Sequence, residues 1–245
     1  MLESRRDVSE LHFEGERKFV AMVSVFAAFH VILDIGMYPF RRWAIYVEPL
    51  EGIMLGPKMG LLTALIGAFI SRAVVGANFL SFIYGMAAES VGVVIAGLLA
   101  KGRWRIPLGL YVFMLAAYFA HPYGRRMPIW TMLDCLAGLF LIYPSSRLSR
   151  YVLGDKVGAG NLTLGVLLIS FVATVGDSLT RVFLLVPAGL YKLEFETFEA
   201  LYNIFIIGAA GSYIEDGIVS IISVIVTVPI LVFIQRTKIL KYPIT

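Results

Sequence analysis

Seven apolar stretches dominate this chain, at 19–38, 49–76, 79–100, 106–120, 129–143, 162–190 and 201–234. A helix needs about 20 mainly apolar residues to cross the hydrocarbon layer of a bilayer. The chain has 245 residues, 59% of them hydrophobic and only 16% charged. Water-soluble domains carry about a quarter charged residues, and no soluble fold of this length hides so much apolar surface. Disorder, a disulfide scaffold and a nucleic-acid module are excluded. The single cysteine, Cys135, rules out an internal disulfide and a cysteine-rich metal site. The expectation is an all-α, polytopic integral membrane helix bundle.

The basic residues set its expected orientation. Arg5, Arg6, Arg17 and Lys18 precede the first stretch, Arg147, Arg150 and Lys156 follow the fifth, and Arg236, Lys238 and Lys241 end the chain. The segment before the last stretch holds Lys192 against Glu194, Glu196 and Glu199. By the positive-inside rule the basic regions are cytoplasmic and the acidic one is outside. Residues 1–18 form a cytoplasmic segment without a cleavage signal, 19–236 a transmembrane substrate-binding domain, and 237–245 a cytoplasmic tail. Two cytoplasmic termini require an even number of crossings. About six spans are therefore expected, with one short or re-entrant piece. Either 106–120, the shortest stretch, or 49–76, interrupted by Gly56-Pro57-Lys58, fills that role.

Small residues recur every fourth position at Gly56, Gly60, Ala64 and Ala68, and again at Ala88, Gly92, Ala96 and Ala100. Such stripes let helix backbones approach in lipid. Ser24 and Ala28 make a shorter patch on the first helix, which either packs inside the bundle or faces another membrane protein. No long internal repeat marks a carrier built from duplicated halves.

Ionisable residues inside a membrane are costly and face a cavity or a partner. Here they are His30, Asp34, Arg72, Glu89, Asp134, Asp177, Arg181, Glu215 and Asp216. Asp177 and Arg181 share a helix face at i, i+4. They form either an internal ion pair or a site where Arg181 grips an anionic ligand group. His30 and Asp34 share a face too, but no spacing matches a zinc or nickel pattern, so no metal and no cofactor are expected. There is no nucleophile elbow, no His-Glu-x-x-His and no phosphate-binding glycine loop with its lysine. Aromatic residues beside Arg and Glu in the Tyr38–Glu51 and His121–Trp130 segments suit a membrane-interface belt or a flat ligand stacked on rings. The expected substrate contacts are Arg41, Glu48, Tyr123, Arg126, Trp130 and Asn203, followed by Asp177 and Arg181, in the outer half of the bundle.

The run from Glu51 to Gly67, with Leu55-Gly56-Pro57 and Gly60 inside it, resembles a segment of the substrate-binding S components of energy-coupling factor transporters. The Ile83-Tyr84-Gly85 stretch, the length and the basic end are similar to that family as well. The resemblance implies a non-enzymatic subunit in the cell membrane that captures a vitamin or vitamin precursor from outside. It implies docking on a transmembrane coupling protein served by two ATPase subunits, with Ser24 and Ala28 as the nearest match to the family's docking residues. The nickel and cobalt members carry a His-bearing N-terminus that Met1–Ser4 lacks, so an organic substrate is expected. The competing readings are an integral membrane scaffold, a stand-alone carrier, or a membrane-embedded enzyme using His30, Asp34 and Asp134.

Overall fold

The computed structural model describes residues 2–35, 43–154 and 159–237. Those residues form an all-α bundle: α1 (Leu2–Ile35), α2 (Glu48–Val74), α3 (Phe79–Ala100), α4 (Arg105–Ala120), α5 (Pro122–Arg126), α6 (Leu133–Arg147), α7 (Ser149–Val152), α8 (Ala159–Leu185), α9 (Tyr191–Glu194) and α10 (Phe198–Thr237). Short 3-10 turns precede α2 at Trp43–Tyr46 and α6 at Ile129–Met132. Five segments are long and apolar enough to cross a membrane: Glu48–Val74, Phe79–Ala100, Ile129–Arg147, Gly160–Leu185 and Phe198–Thr237. Phe19–Ile35 and Arg105–Ala120 are shorter apolar helices. The chain is a multi-pass membrane protein.

Of the two contenders for the short or re-entrant piece, Glu48–Val74 is long and apolar enough to cross and Arg105–Ala120 is shorter, and the interruption read at Gly56-Pro57-Lys58 falls at Gly56. Its φ of 73° and ψ of 176° break α2 into arms at 48–55 and 57–74. The arms fold back on each other. A Cβ placed on Gly60 would lie 3.5 Å from the Glu51 carbonyl and 3.6 Å from the Gly52 Cα, whereas residues eight apart in a straight helix are about 12 Å apart. Pro57 opens the second arm, where its missing N–H costs nothing. α3 clamps the hairpin, since the Cβ position of Gly97 is 2.6 Å from the Pro57 nitrogen and 2.9 Å from the Gly52 carbonyl. The long arm still spans about 27 Å. The other contender, α4, is an unbroken helix held against α8 by Tyr111, whose hydroxyl donates to the Val172 carbonyl.

The turns follow from local chemistry. Gly76 (φ 63°) ends α2, with the Ala77 amide bonded back to Arg72 at 2.9 Å, a Schellman closure. The Asn78 side chain then accepts from the Ser81 amide at 2.8 Å and starts α3. Arg125 donates to the Phe119 and Ala120 carbonyls, closing the end of α4 before Pro122.

Residue pairings fix the helix directions. Arg72 meets Ser81, and Gly60 meets Val93, so the long arm of α2 and α3 are antiparallel. Glu89 meets Arg181 and Ile95 meets Gly176, so α3 and α8 are antiparallel; Ser178 meets Asp216, and Gln235 near the end of α10 meets Val152 and Gly154 just before α8, so α8 and α10 are antiparallel as well. One face of the bundle, called upper here, therefore carries the 75–78 turn, the 121–132 segment and the 186–197 segment. The Gly56 hairpin turn, the 101–104 turn and the 148–154 segment lie at the opposite, lower face. α1 runs parallel to the long arm of α2, with Val23 packed near Leu55 and Met59, and Asp34 beside Ser71 and Arg72. The apolar core, including Leu99, Tyr111, Ile142, Ile169 and Leu179, lies between α3, α4, α6 and α8.

Candidate functional site: a cavity beside a buried charge network

Four helices contribute charges to one buried network. Arg72 on α2 donates to Asp34 on α1 (2.9 Å) and forks onto both carboxylate oxygens of Glu89 on α3, with Nη1–Oε2 at 3.2 Å. Ser71 donates to the same Asp34. His30 on α1 faces Glu51 through Nδ1 (3.1 Å) and Glu89 through Nε2 (3.4 Å), an arrangement that a doubly protonated ring satisfies. Arg181 on α8 is bidentate to Asp177, at 3.0 and 3.1 Å, and lies 3.6 Å from Glu89 on its other side. The Asp177–Arg181 internal ion pair expected from the i, i+4 spacing is present, and Glu89 joins it to Arg72.

Glycines give these side chains room. Added Cβ atoms would strike the His30 ring at Gly67, the Arg72 guanidinium at Gly85 and Glu48 Oε2 at Gly92. Glu48 is 1% exposed, and its Oε1 has no hydrogen-bond partner among the described residues. Among the described residues, His30, Asp34 and Glu89 form a group whose ligand atoms lie close enough together to hold a metal ion. The Arg72 guanidinium already bonds the two carboxylates of that set and supplies the positive charge.

Above the network lies a cavity of about 360 Å³ between α3, α6, α8, α9 and α10. Arg181 reaches from the network into its wall. Its other polar lining comes from Tyr84, Thr131, Asp134, Ser178, Glu194 and Ser212, and its apolar lining includes Met132, Val182, Leu185, Ile204 and Phe205. Asp134 sits in the first turn of α6, where the helix dipole favours a carboxylate. It accepts from the Cys135 amide at 2.7 Å and from Ser212 at 3.1 Å. The Tyr84 hydroxyl oxygen is buried without a hydrogen-bond partner among the described residues. Glu194, on the loop side, has its carboxyl raised above the usual range by desolvation. The Gly208 backbone leaves space, since a Cβ there would meet nothing within 4 Å.

The residues expected to contact substrate fall into three places. Arg181 lines the cavity, with Asp177 holding it from behind and Glu48 buried in the same network. Arg126 and Asn203 line a separate surface recess with Phe198, Glu199 and Tyr202. There the Arg126 guanidinium stacks 3.7 Å from the Phe198 ring centre. Tyr123 packs on Tyr191 and Phe198 in an aromatic cluster at the upper face, with ring centres 5.0 and 4.9 Å away. The Trp130 carbonyl accepts from the Tyr213 hydroxyl beside the cavity. Arg41 lies outside the described residues. His30 and Asp34 bind within the charge network, whereas Asp134 bonds Ser212 on α10.

Tyr84, Ser178, Glu194 and Ser212 were not among the expected contacts. Glu194 belongs to the acidic upper segment that the charge pattern marks. Nothing in one-dimensional spacing singles out the two serines or the tyrosine. Comparison with protein-family models, with curated proteins and with solved structures returns no match.

Proposed function

We propose that this protein is a substrate-capturing membrane subunit of an ATP-driven importer of vitamins or their precursors. It binds a small organic molecule in the upper cavity and docks through α1 on a separate transmembrane coupling protein. The observation that carries the reading is the cavity itself, a partly open space between helices with a mixed apolar and polar lining and an ion-paired arginine in its wall. A pure scaffold has no use for such a space. Two further features support the reading. The Glu51–Gly67 run that resembles S components of energy-coupling factor transporters forms the tight hairpin, where its Gly-Pro turn is sterically required. Ser24 and Ala28 are exposed on α1, whereas Val23, Ala27 and His30 are buried. With cytoplasmic termini, as the basic flanks imply, the upper face is the outer one.

The test is native mass spectrometry of the protein purified from its own cells or from cells fed complex medium. The expected result is a retained small organic molecule in stoichiometric amount that exchanges with added ligand. A protein that carries no molecule and releases none on denaturation contradicts capture.

A further inference from the structure

We propose that the cavity takes a neutral molecule: an apolar body bearing a carbonyl-type oxygen, as in an amide, ketone or ester, which accepts from Nη1 of Arg181 and from the Tyr84 hydroxyl. This rests on the reading that the cavity is the capture site, and it names the chemistry of what is captured.

The donor geometry of Arg181 carries the argument. Its side chain is 29% exposed and lines the cavity. A guanidinium grips a carboxylate by forking two nitrogens onto it, Nε with Nη2 or Nη1 with Nη2. Nη2 belongs to both forks. Asp177 takes it at 3.1 Å together with Nε at 3.0 Å, which closes the first fork. Glu89 Oε1 lies 3.6 Å from the same nitrogen, so a ligand carboxylate on the second fork would compete with Glu89. Nη1 makes no hydrogen bond to a described residue. What Arg181 offers a ligand is therefore a single nitrogen, which suits one acceptor oxygen. A donor-only group such as an ammonium leaves it unanswered.

Tyr84 lines the same cavity from α3, close enough to Arg181 for the charge of the guanidinium to act on it. Its hydroxyl is shut off from solvent and has no hydrogen-bond partner among the described residues. The other lining hydroxyls donate within the protein: Thr131 to the Pro128 carbonyl at 2.8 Å, Ser212 to Asp134 at 3.1 Å and Ser178 to Asp216 at 3.4 Å. Buried hydroxyls without a partner are costly and uncommon. A carbonyl oxygen has two lone pairs, so one such atom answers both Nη1 and the Tyr84 hydroxyl. Met132, Val182, Leu185, Ile204 and Phe205 are left to cover an apolar body.

The experiment uses the full chain in dodecyl maltoside, a detergent without a carbonyl group, and four probes of similar length: 4-phenylbutanamide, 5-phenylpentan-2-one, 4-phenylbutanoate and 4-phenylbutylammonium. Affinities come from calorimetry, with matching empty micelles subtracted throughout. The amide and the ketone, which share only the acceptor oxygen, are each expected to bind about tenfold tighter or more than the carboxylate and the ammonium, the gain of one hydrogen bond from a charged donor. Tyr84→Phe should leave the melting temperature unchanged or raised, since it deletes an unpaired buried hydroxyl, and should cut that preference about threefold or more. Arg181→Lys keeps a cation for Asp177, gives up Nη1 and should erase the preference. Where Arg181→Lys fails to fold, Tyr84→Phe decides alone. Equal affinities for the four probes, a preference for the carboxylate or the ammonium, no binding of the amide and ketone, or a preference left untouched by either variant in folded form would overturn the proposal. Adding phosphatidylcholine separates two sources of such an oxygen. Competition makes a lipid ester the occupant, no competition makes it a free solute, and both keep the acceptor chemistry. A retained molecule without a neutral acceptor oxygen in the mass-spectrometric test would remove this assignment and leave capture standing. No retained molecule and no probe binding would remove both.

Discussion

Gly85 of α3 lies directly against the guanidinium of Arg72 on α2, in the space that any side chain at position 85 would need. The arginine can fork onto Glu89 and reach Asp34 because α3 carries no Cβ at that point. Gly85→Ala is expected to push Arg72 off both carboxylates. Breaking a buried ion pair costs about 3–5 kcal/mol, because the partners stay buried without compensation. The check is the apparent melting temperature in detergent, which should fall by many degrees. Gly109→Ala is the matched control on α4. A Cβ there meets nothing within 4 Å, and the change should be neutral or mildly stabilising by up to about 1 kcal/mol.

The α2 hairpin gives a second expectation. The Gly97 Cβ position falls among backbone atoms of Gly52, Gly56 and Pro57, which have no flexible end to move aside. Gly97→Ala should therefore separate α3 from the hairpin and lower both yield and melting temperature. Gly56→Ala places a side chain at φ 73°, a conformation that costs about 1–3 kcal/mol in a non-glycine residue. Limited proteolysis near 56–58 should become faster in both variants. Unchanged cleavage in both would mean that the arms do not depend on this packing.

These glycines also show how far the sequence could be read. The helical class, the long apolar segments and a break at Gly56-Pro57 are legible, because each is a local property of composition or backbone chemistry. The small-residue stripes are legible as close approach, but what approaches is not. Gly60 and Gly97 meet backbone and aliphatic groups of the hairpin and of α3, whereas Gly67, Gly85 and Gly92 seat His30, Arg72 and Glu48. Glu51 reads from sequence as part of a charged, aromatic interface belt. The hairpin instead folds it against His30, where it is fully buried. Asp177 and Arg181 pair as their spacing implies, but their link to Arg72 through Glu89 joins residues more than a hundred positions apart. The cavity is composite in the same way, with lining residues drawn from five helices and the turn before α6, and only one each from α3 and α9.

The docking face makes a third expectation. Ser24 and Ala28 are exposed on α1, while Val23 and Ala27 beside them are buried. Ser24→Leu combined with Ala28→Leu should leave the fold and ligand binding unchanged and abolish co-purification with the coupling protein. Bulk on an exposed face costs the isolated protein nothing, but it holds two helices apart where small residues let them approach. Wild-type recovery of the complex would move the docking surface elsewhere.

Blocking the cavity tests the capture site without disturbing the charge network. Gly208 lines the cavity on α10, and a Cβ placed there has no neighbour within 4 Å. Gly208→Phe therefore projects a ring from an unstrained helical position without pressing on the core. Replacing a helical glycine also removes its backbone entropy penalty, so the melting temperature should hold or rise slightly. Binding should fall, because the ring takes space that a ligand would fill and repacking to admit both costs about 1–3 kcal/mol, equivalent to roughly fivefold to more than a hundredfold in affinity. The measurement is the amount of small organic molecule retained on purification, by native mass spectrometry, alongside a melting curve on the same sample. Stability lost together with binding would indicate a misfolded variant, in which case Ala210→Phe, on the same helix but absent from the cavity lining, shows whether a ring on this helix is tolerated at all. Intact binding with intact stability would place the ligand outside this cavity, with the surface recess of Arg126, Phe198 and Asn203 as the next site to block.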